Sequence, residues 1–233
     1  MIDRYSISAS AQTLAHRFAV DVPPHVKPCY NACPAKLLPV ITHHCPQGVS
    51  TFFWGLVPQW AKAKAPAEKL INTKAESILE KPALQKKLLN YRCIVPADGF
   101  YAWKKLGKKT SVPYRFFLKD EPLTSFGGLW EEYEDEHGEV HHTFSIITVP
   151  SLPVVAKVGE RMPLLLKEDD QRLWLNKETS LDTLLKIMIT PNPALQLDSY
   201  TVSPQIKSAN TNDPSLLLPA APADQFGNLT LFD

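Results

Sequence analysis

Three short stretches carry side chains whose types and spacing could act on a ligand. In Leu70-Ile71-Asn72-Thr73-Lys74-Ala75-Glu76 an amide, a cation and a carboxylate fall at positions i, i+2 and i+4. At the start of a predicted helix, Asn72 can cap and free backbone N–H groups can meet a phosphate. A plain capped helix would use the same residues. Trp54-Gly55-Leu56-Val57-Pro58-Gln59-Trp60 sets two tryptophans around a Gly/Pro turn. Trp54 lies within a strand and reads as core. Trp60, beside Lys62 and Lys64, reads as a surface platform for stacking or wedging against bases. The third stretch, Arg92 to Lys104, joins a buried strand, an Asp98-Gly99 turn signal and an aromatic strand. Cys29-x3-Cys33 with His43-His44-Cys45 is the nearest approach to a metal site, and its spacing fits no standard zinc signature. No metal and no cofactor is expected, and the four cysteines read as reduced thiols.

The elements that must position these residues are short. Prolines number 21 against 9 glycines, which favours many short elements joined by stiff turns. Ser10 caps a predicted helix over 11–18. Leu37–Thr42 and Val49–Leu56 are strand-like, and Ala75–Leu89 has helical spacing broken at Pro82. Five apolar runs follow, at 93–95, 99–103, 113–118, 125–130 and 143–149. Gly138 marks a hairpin loop within the acidic stretch 133–142. Leu164–Leu166 is a further candidate strand and 197–202 a late one. Helices are predicted over 167–175, which opens with three acids, and over 180–189. Strands outnumber helices, so the expected fold class is α+β, one domain over 1–233, built on an antiparallel, barrel-like sheet.

Composition sets the outer bounds. Hydrophobic residues make up 44% and charged residues 21%, ordinary values for a globular chain. No apolar run approaches the roughly 20 residues of a membrane span. The start, Met1-Ile2-Asp3-Arg4, lacks the basic and apolar regions of a signal peptide, so a cytoplasmic location is expected. The formal net charge is only +1, but basic residues dominate between Trp60 and Thr110 while the excess acid sits elsewhere, notably at 131–136. A one-sided basic segment suits a polyanion; a solvated lysine face is the other reading.

Taken together these segments resemble the SRAP family, the SOS-response-associated peptidases or abasic-site-processing proteins. The resemblance runs over essentially the whole chain. It is carried by Arg4-Tyr5-Ser6, Tyr30-Asn31-Ala32-Cys33-Pro34, the Trp54–Trp60 stretch, Asn72-x-Lys74-x-Glu76, Arg92 to Lys104 and Phe126-Gly127-Gly128-Leu129-Trp130-Glu131. Ser145–Thr148, Arg161-Met162-Pro163, Tyr200–Pro204 and Asn212-Asp213-Pro214 follow in order. The resemblance implies a compact β-rich domain with a positively charged cleft for single-stranded DNA. In that family an N-terminal cysteine, exposed by loss of the initiator Met, condenses with the aldehyde of an abasic site. Amine and thiolate act together to close a thiazolidine, and an Asn, a Glu and a His orient the sugar and move protons.

This chain departs at that centre. The Cys-Gly after Met1 reads Ile2-Asp3, the glutamate of the aromatic strand corresponds to Ala102, and the histidine falls at Gly159. A bulky Ile2 should keep Met1 attached. Of the four catalytic positions Asn72 alone remains. The DNA-lining positions that the resemblance carries over are Arg4, Asn31, Pro34, Trp60, Lys74 (where many relatives have Arg) and Arg161. Ala61 follows Trp60 where some relatives have a second tryptophan, and Lys74 keeps the charge of an arginine without its bidentate fork.

The expectation is therefore a pseudoenzyme: a monomer that binds single-stranded DNA, at abasic sites or junctions, without the crosslink. Two alternatives stand beside it. One is an enzyme acting through Lys74 or the Met1 α-amine, with Cys33 as a lone thiol nearby. The other is a protein-interaction module that has lost DNA.

Overall fold

The computed structural model describes residues 2–55, 71–107, 109–134, 138–189 and 196–230. Trp60 and Ala61, together with Lys62 and Lys64, lie outside the described residues.

The chain enters a sheet at once. β1 (Tyr5–Ile7) is followed by α1 (Ala11–Phe18), whose Ser10 cap accepts from Thr13 N at 3.1 Å. Ala19, in the left-handed region, closes that helix. Next come β2 (Cys29–Ala32), β3 (Leu37–Thr42) and β4 (Cys45–Trp54). β5 (Asn72–Lys74) runs directly into α2 (Ala75–Glu80). α3 (Pro82–Asn90) starts at the proline that breaks the helical spacing, where a missing N–H costs nothing.

The long strands then follow: β6 (Arg92–Ala97), β7 (Gly99–Lys105), β8 (Ser111–Leu118), β9 (Thr124–Glu134) and β10 (Val140–Pro150). α4 (Pro153–Ala156), β11 (Arg161–Pro163), α5 (Glu168–Leu175), α6 (Leu181–Ile189) and β12 (Leu197–Thr201) complete the regular elements, with 3-10 turns at Pro204–Lys207 and Pro214–Leu217.

One sheet has the order β12-β8-β7-β1-β2. In the other, β10, β4, β3, β6 and β9 pair in sequence, and β9 pairs back onto β10. That ring is closed, which removes unpaired edges from its five strands and gives the barrel-like α+β fold expected from the sequence. β5 and β11 hang from β10, the first parallel and the second antiparallel.

The core sits between the two sheets. Tyr5 meets Trp54 edge-on at 5.2 Å and Phe126 at 5.8 Å, and Trp54 stacks on Phe144. Each such pair adds roughly 0.5–1.5 kcal/mol beyond its buried area. Trp54 is core, as its place in a strand implies, and its indole N–H donates to Ile71 O at 2.9 Å. Next to it Gly55 has φ +64°, and a Cβ there would come within 2.3 Å of the Ile71 side chain. Only glycine allows the backbone to turn this close to Ile71.

Two expectations are corrected. Asn72 does not cap the following helix: it opens β5, and Lys74 is the N-cap residue, with no side-chain cap. The strand expected at Leu164–Leu166 lies three residues earlier, at Arg161–Pro163, because these residues pair with Thr148–Pro150. Leu165 makes a single bridge to Phe126 instead.

Candidate active site and nucleic-acid interface

β10 is the rail on which the site is assembled. Ile146, Ile147 and Thr148 pair in parallel with Asn72, Thr73 and Lys74, and Thr148, Val149 and Pro150 pair with Pro163, Met162 and Arg161. Residues far apart in sequence thus share one end of the sheet. The Thr73 and Ser145 hydroxyls, 2.9 Å apart, pin β5 to this rail.

Asn72 donates its side-chain N–H to the carbonyl of Ile2 at 2.7 Å. Its Oδ1 is buried without a hydrogen-bond partner among the described residues. Lys74, two residues on, is exposed. Glu76 receives two hydrogen bonds from Arg161, at 3.0 and 2.8 Å. This fork holds the Glu76 carboxyl below its ordinary range. The Arg161 guanidinium also donates to the hydroxyl of Thr148 at 3.1 Å and to its carbonyl at 2.6 Å. Arg161 is therefore a fixed cation, with its donors largely committed.

The N-terminal strand brings up the other half. β1 lies between β7 and β2, with Tyr5 opposite Phe100, and Tyr101 N donates to Arg4 O at 3.0 Å. This register carries residues 2 and 3 alongside Ala102 and Trp103, and Trp103 Nε1 donates to Asp3 Oδ1 at 3.3 Å. Ile2 is 0% exposed and Ala102 4%, both within the main core cluster. Gly159 faces Ala102: a Cβ built on Gly159 would lie 3.8 Å from the Ala102 Cβ. The positions that depart from the family pattern converge: Ile2 and Ala102 are packed in the core, and Gly159 leaves open space beside Ala102.

Arg4 and Asn31 are tied to the chain's C-terminal part. Arg4 donates to Asp3 O at 2.7 Å and Lys207 O at 3.1 Å, while its Nε is buried without a partner among the described residues. Asn31 is fully buried and gives its amide hydrogens to Ser208 O and Thr211 O, at 2.8 and 2.9 Å. Asn212 returns the contact, its Oδ1 accepting from the backbone N–H of Tyr30 and Asn31. Asn31 thus fastens the 208–212 segment, and its side chain is not open to solvent. Pro34 is half-buried in the turn after β2.

The basic segment divides. Arg92 is fully buried, donating to the carbonyls of Leu88, Leu89, Trp174 and Asn176; burial lowers its pKa to about 10. Lys87 pairs with Glu131, and burial brings it down to about 8. Lys74, Lys81, Lys86, Lys105 and Lys109 remain exposed. Cys33 is buried, and all four cysteines are free. Thr148, the second anchor of Arg161, is missed by sequence reasoning although it closes the Ser145–Thr148 stretch. So is Asp98, a turn signal in the sequence, whose carboxylate accepts from Ser6 Oγ at 2.5 Å and from Arg115 at 2.9 Å.

Residues 1–209 match the family described as SOS response associated peptidase (SRAP). The abasic site processing protein YoqW of Bacillus subtilis is 33% identical over 221 residues, covering 93% of this chain and 99% of that protein. The rat abasic site processing protein HMCES is 30% identical over 198 residues, 72% of this chain and 55% of its own length. Among solved structures, a protein from Bacteroides thetaiotaomicron superposes with a TM-score of 0.79 at 28% identity, covering 93% of this chain and 99% of its own.

Proposed function

The chain belongs to the SOS response associated peptidase (SRAP) family, and from that premise we propose that it binds single-stranded DNA, at abasic sites, without closing a thiazolidine on them. The observation that carries this reading is the packing at residue 2. A buried Ile2, its carbonyl held by Asn72, stands where the family chemistry needs a free thiol. Ala102 and Gly159 offer neither a carboxylate nor an imidazole for proton transfer. DNA binding comes to this chain from its relatives, named for abasic site processing, and is supported by Arg4, Lys74 and Arg161 around the same end of the sheet. The family pattern also carries Asn31, Pro34 and Trp60 over as DNA-lining residues; in the fold Asn31 holds the segment behind Arg4. One hydrophobic cluster draws on both sheets, which supports reading the whole as a single domain.

The test is direct. The protein is incubated with single-stranded DNA carrying one abasic site, and half the sample is heated before a denaturing gel. A heat-stable adduct would overturn the no-crosslink reading. Binding measured at two salt concentrations should show a clear salt slope, and no binding at all would overturn the DNA reading. Lys74 is exposed, so the burial on which an amine nucleophile depends is absent. Borohydride trapping of an imine, abolished by Lys74→Ala, would restore a catalytic reading.

A further inference from the structure

A second basic feature lies where the family-matched residues 1–209 meet the segment that follows them. The β7–β8 hairpin and the chain's C-terminal turn enclose a groove of about 320 Å³, lined by Lys105, Lys109 and Lys207 with Thr110, Ser111 and Gln225. No acidic side chain lines it among the described residues. Asp224, the nearest acid in sequence to Gln225, is turned inward and spends its carboxylate on the N–H groups of Phe226 and Asn228 and on the Asn228 amide.

The groove is built rather than incidental. Gln225 accepts from the Ser111 backbone N–H at 2.8 Å and from its hydroxyl at 3.3 Å, and donates to Lys109 O. One amide side chain thereby locks the C-terminal turn across the mouth of the hairpin. On the other side, Lys207 accepts from Arg4 through its backbone carbonyl, and its side chain is exposed. Lys105 and Lys109 are exposed.

We infer that this groove holds the phosphate backbone of the same single strand whose lesion faces the residue-2 site. The inference rests on the DNA reading above. β7 links the two places across the sheet. Ala102 faces Gly159 on one side, and Lys105, three residues and roughly 10 Å along, projects from the opposite side with Tyr101 and Trp103, so the DNA strand would pass round the exposed end of β7. Arg4 joins them from the other direction through Lys207 O. Three ammonium groups with no acid lining the groove among the described residues suit a run of phosphodiesters, each contact releasing condensed counterions. A point charge on a flexible stem also suits a backbone read without sequence.

The experiment is fluorescence anisotropy with a labelled abasic oligonucleotide over a salt series. It compares the wild type, the K105A/K109A/K207A variant, and a control with the same charge change at exposed lysines elsewhere, K81A/K86A/K177A. At about 0.7 per phosphate contact, the groove variant should lose roughly 2 from the magnitude of the log K against log salt slope, and the control should not. An equal loss in both variants, or none in the groove variant, overturns the inference while leaving the DNA reading intact. If the wild type binds no DNA, that reading fails, and the groove is decided by titrating inorganic triphosphate. Amide resonances of residues 109–111 and Gln225 that shift in the wild type but not in K105A/K109A/K207A support a phosphate-binding groove. Unmoved resonances sink it.

Discussion

The side-chain amide of Asn72 holds the backbone carbonyl of Ile2 at 2.7 Å, so Asn72 anchors the segment that leads into β1. Asn72→Ala removes that donor and leaves a buried carbonyl without it. Such a loss costs about 1 kcal/mol, and melting should fall by roughly 2–4 °C for a chain of this size. Amide exchange at residues 3–5 should quicken in the same variant, and unchanged exchange would contradict the anchoring role.

Restoring the missing groups should restore chemistry. Gly159 does not sit in the left-handed region, and its Cβ would make only ordinary contact with Ala102. The combined variant Ile2→Cys, Ala102→Glu, Gly159→His can therefore place thiol, carboxylate and imidazole together without backbone strain. Once Met1 is removed, it should form a heat-stable adduct with abasic single-stranded DNA, while the wild type forms none. Intact-protein mass spectrometry checks Met1 removal, and a denaturing gel reads the adduct.

The pH dependence of stability should carry the signature of His43. Burial, with Arg92 nearby, lowers its pKa to about 4, and its Nδ1 lies 3.2 Å from Arg92 O. Because the folded value is depressed, the unfolded chain takes up the proton first. Stability is full above the unfolded value near 6.5 and is lost as pH falls towards 4, by up to about 3 kcal/mol. Urea unfolding at pH 7 and pH 4.5 measures this, and His43→Gln should flatten the difference.

The Asp98–Arg115 pair should be costly to break. Both side chains are largely buried, and the Arg115 guanidinium also reaches the Tyr200 hydroxyl at 3.1 Å. Arg115→Met leaves the Asp98 charge stranded, with an expected loss of about 3–5 kcal/mol in chemical denaturation. Asp98→Asn keeps the acceptor geometry and should cost less.

Local signals in the sequence located most elements. Ser10 marks the start of α1, Pro82 divides α2 from α3, and Gly138 lies in the turn between β9 and β10. Non-local pairing defeated the same kind of reasoning at Asn72. Its amide has the right type for a cap, yet the parallel register with Ile146 on β10 decides its conformation. Arg92 shows the matching limit for charge. It counts as one more cation in a basic run, whereas its guanidinium closes the C-terminal carbonyls of α3 and α5 inside the protein. The departures at Ile2, Ala102 and Gly159 were legible because they are identities; their convergence needed the register of β1 against β7.

That register also bears on how the protein is made. β1 leaves the ribosome long before one of its partners, β7, with Tyr5 waiting for Phe100. Long-range pairings of this kind close late and slow the search for the native state. A nascent chain must therefore keep Tyr5, Ile7 and their apolar neighbours from mispairing until most of the barrel has been synthesised. The residue-2 site, which needs β7 beside β1, is complete only when that pairing has formed.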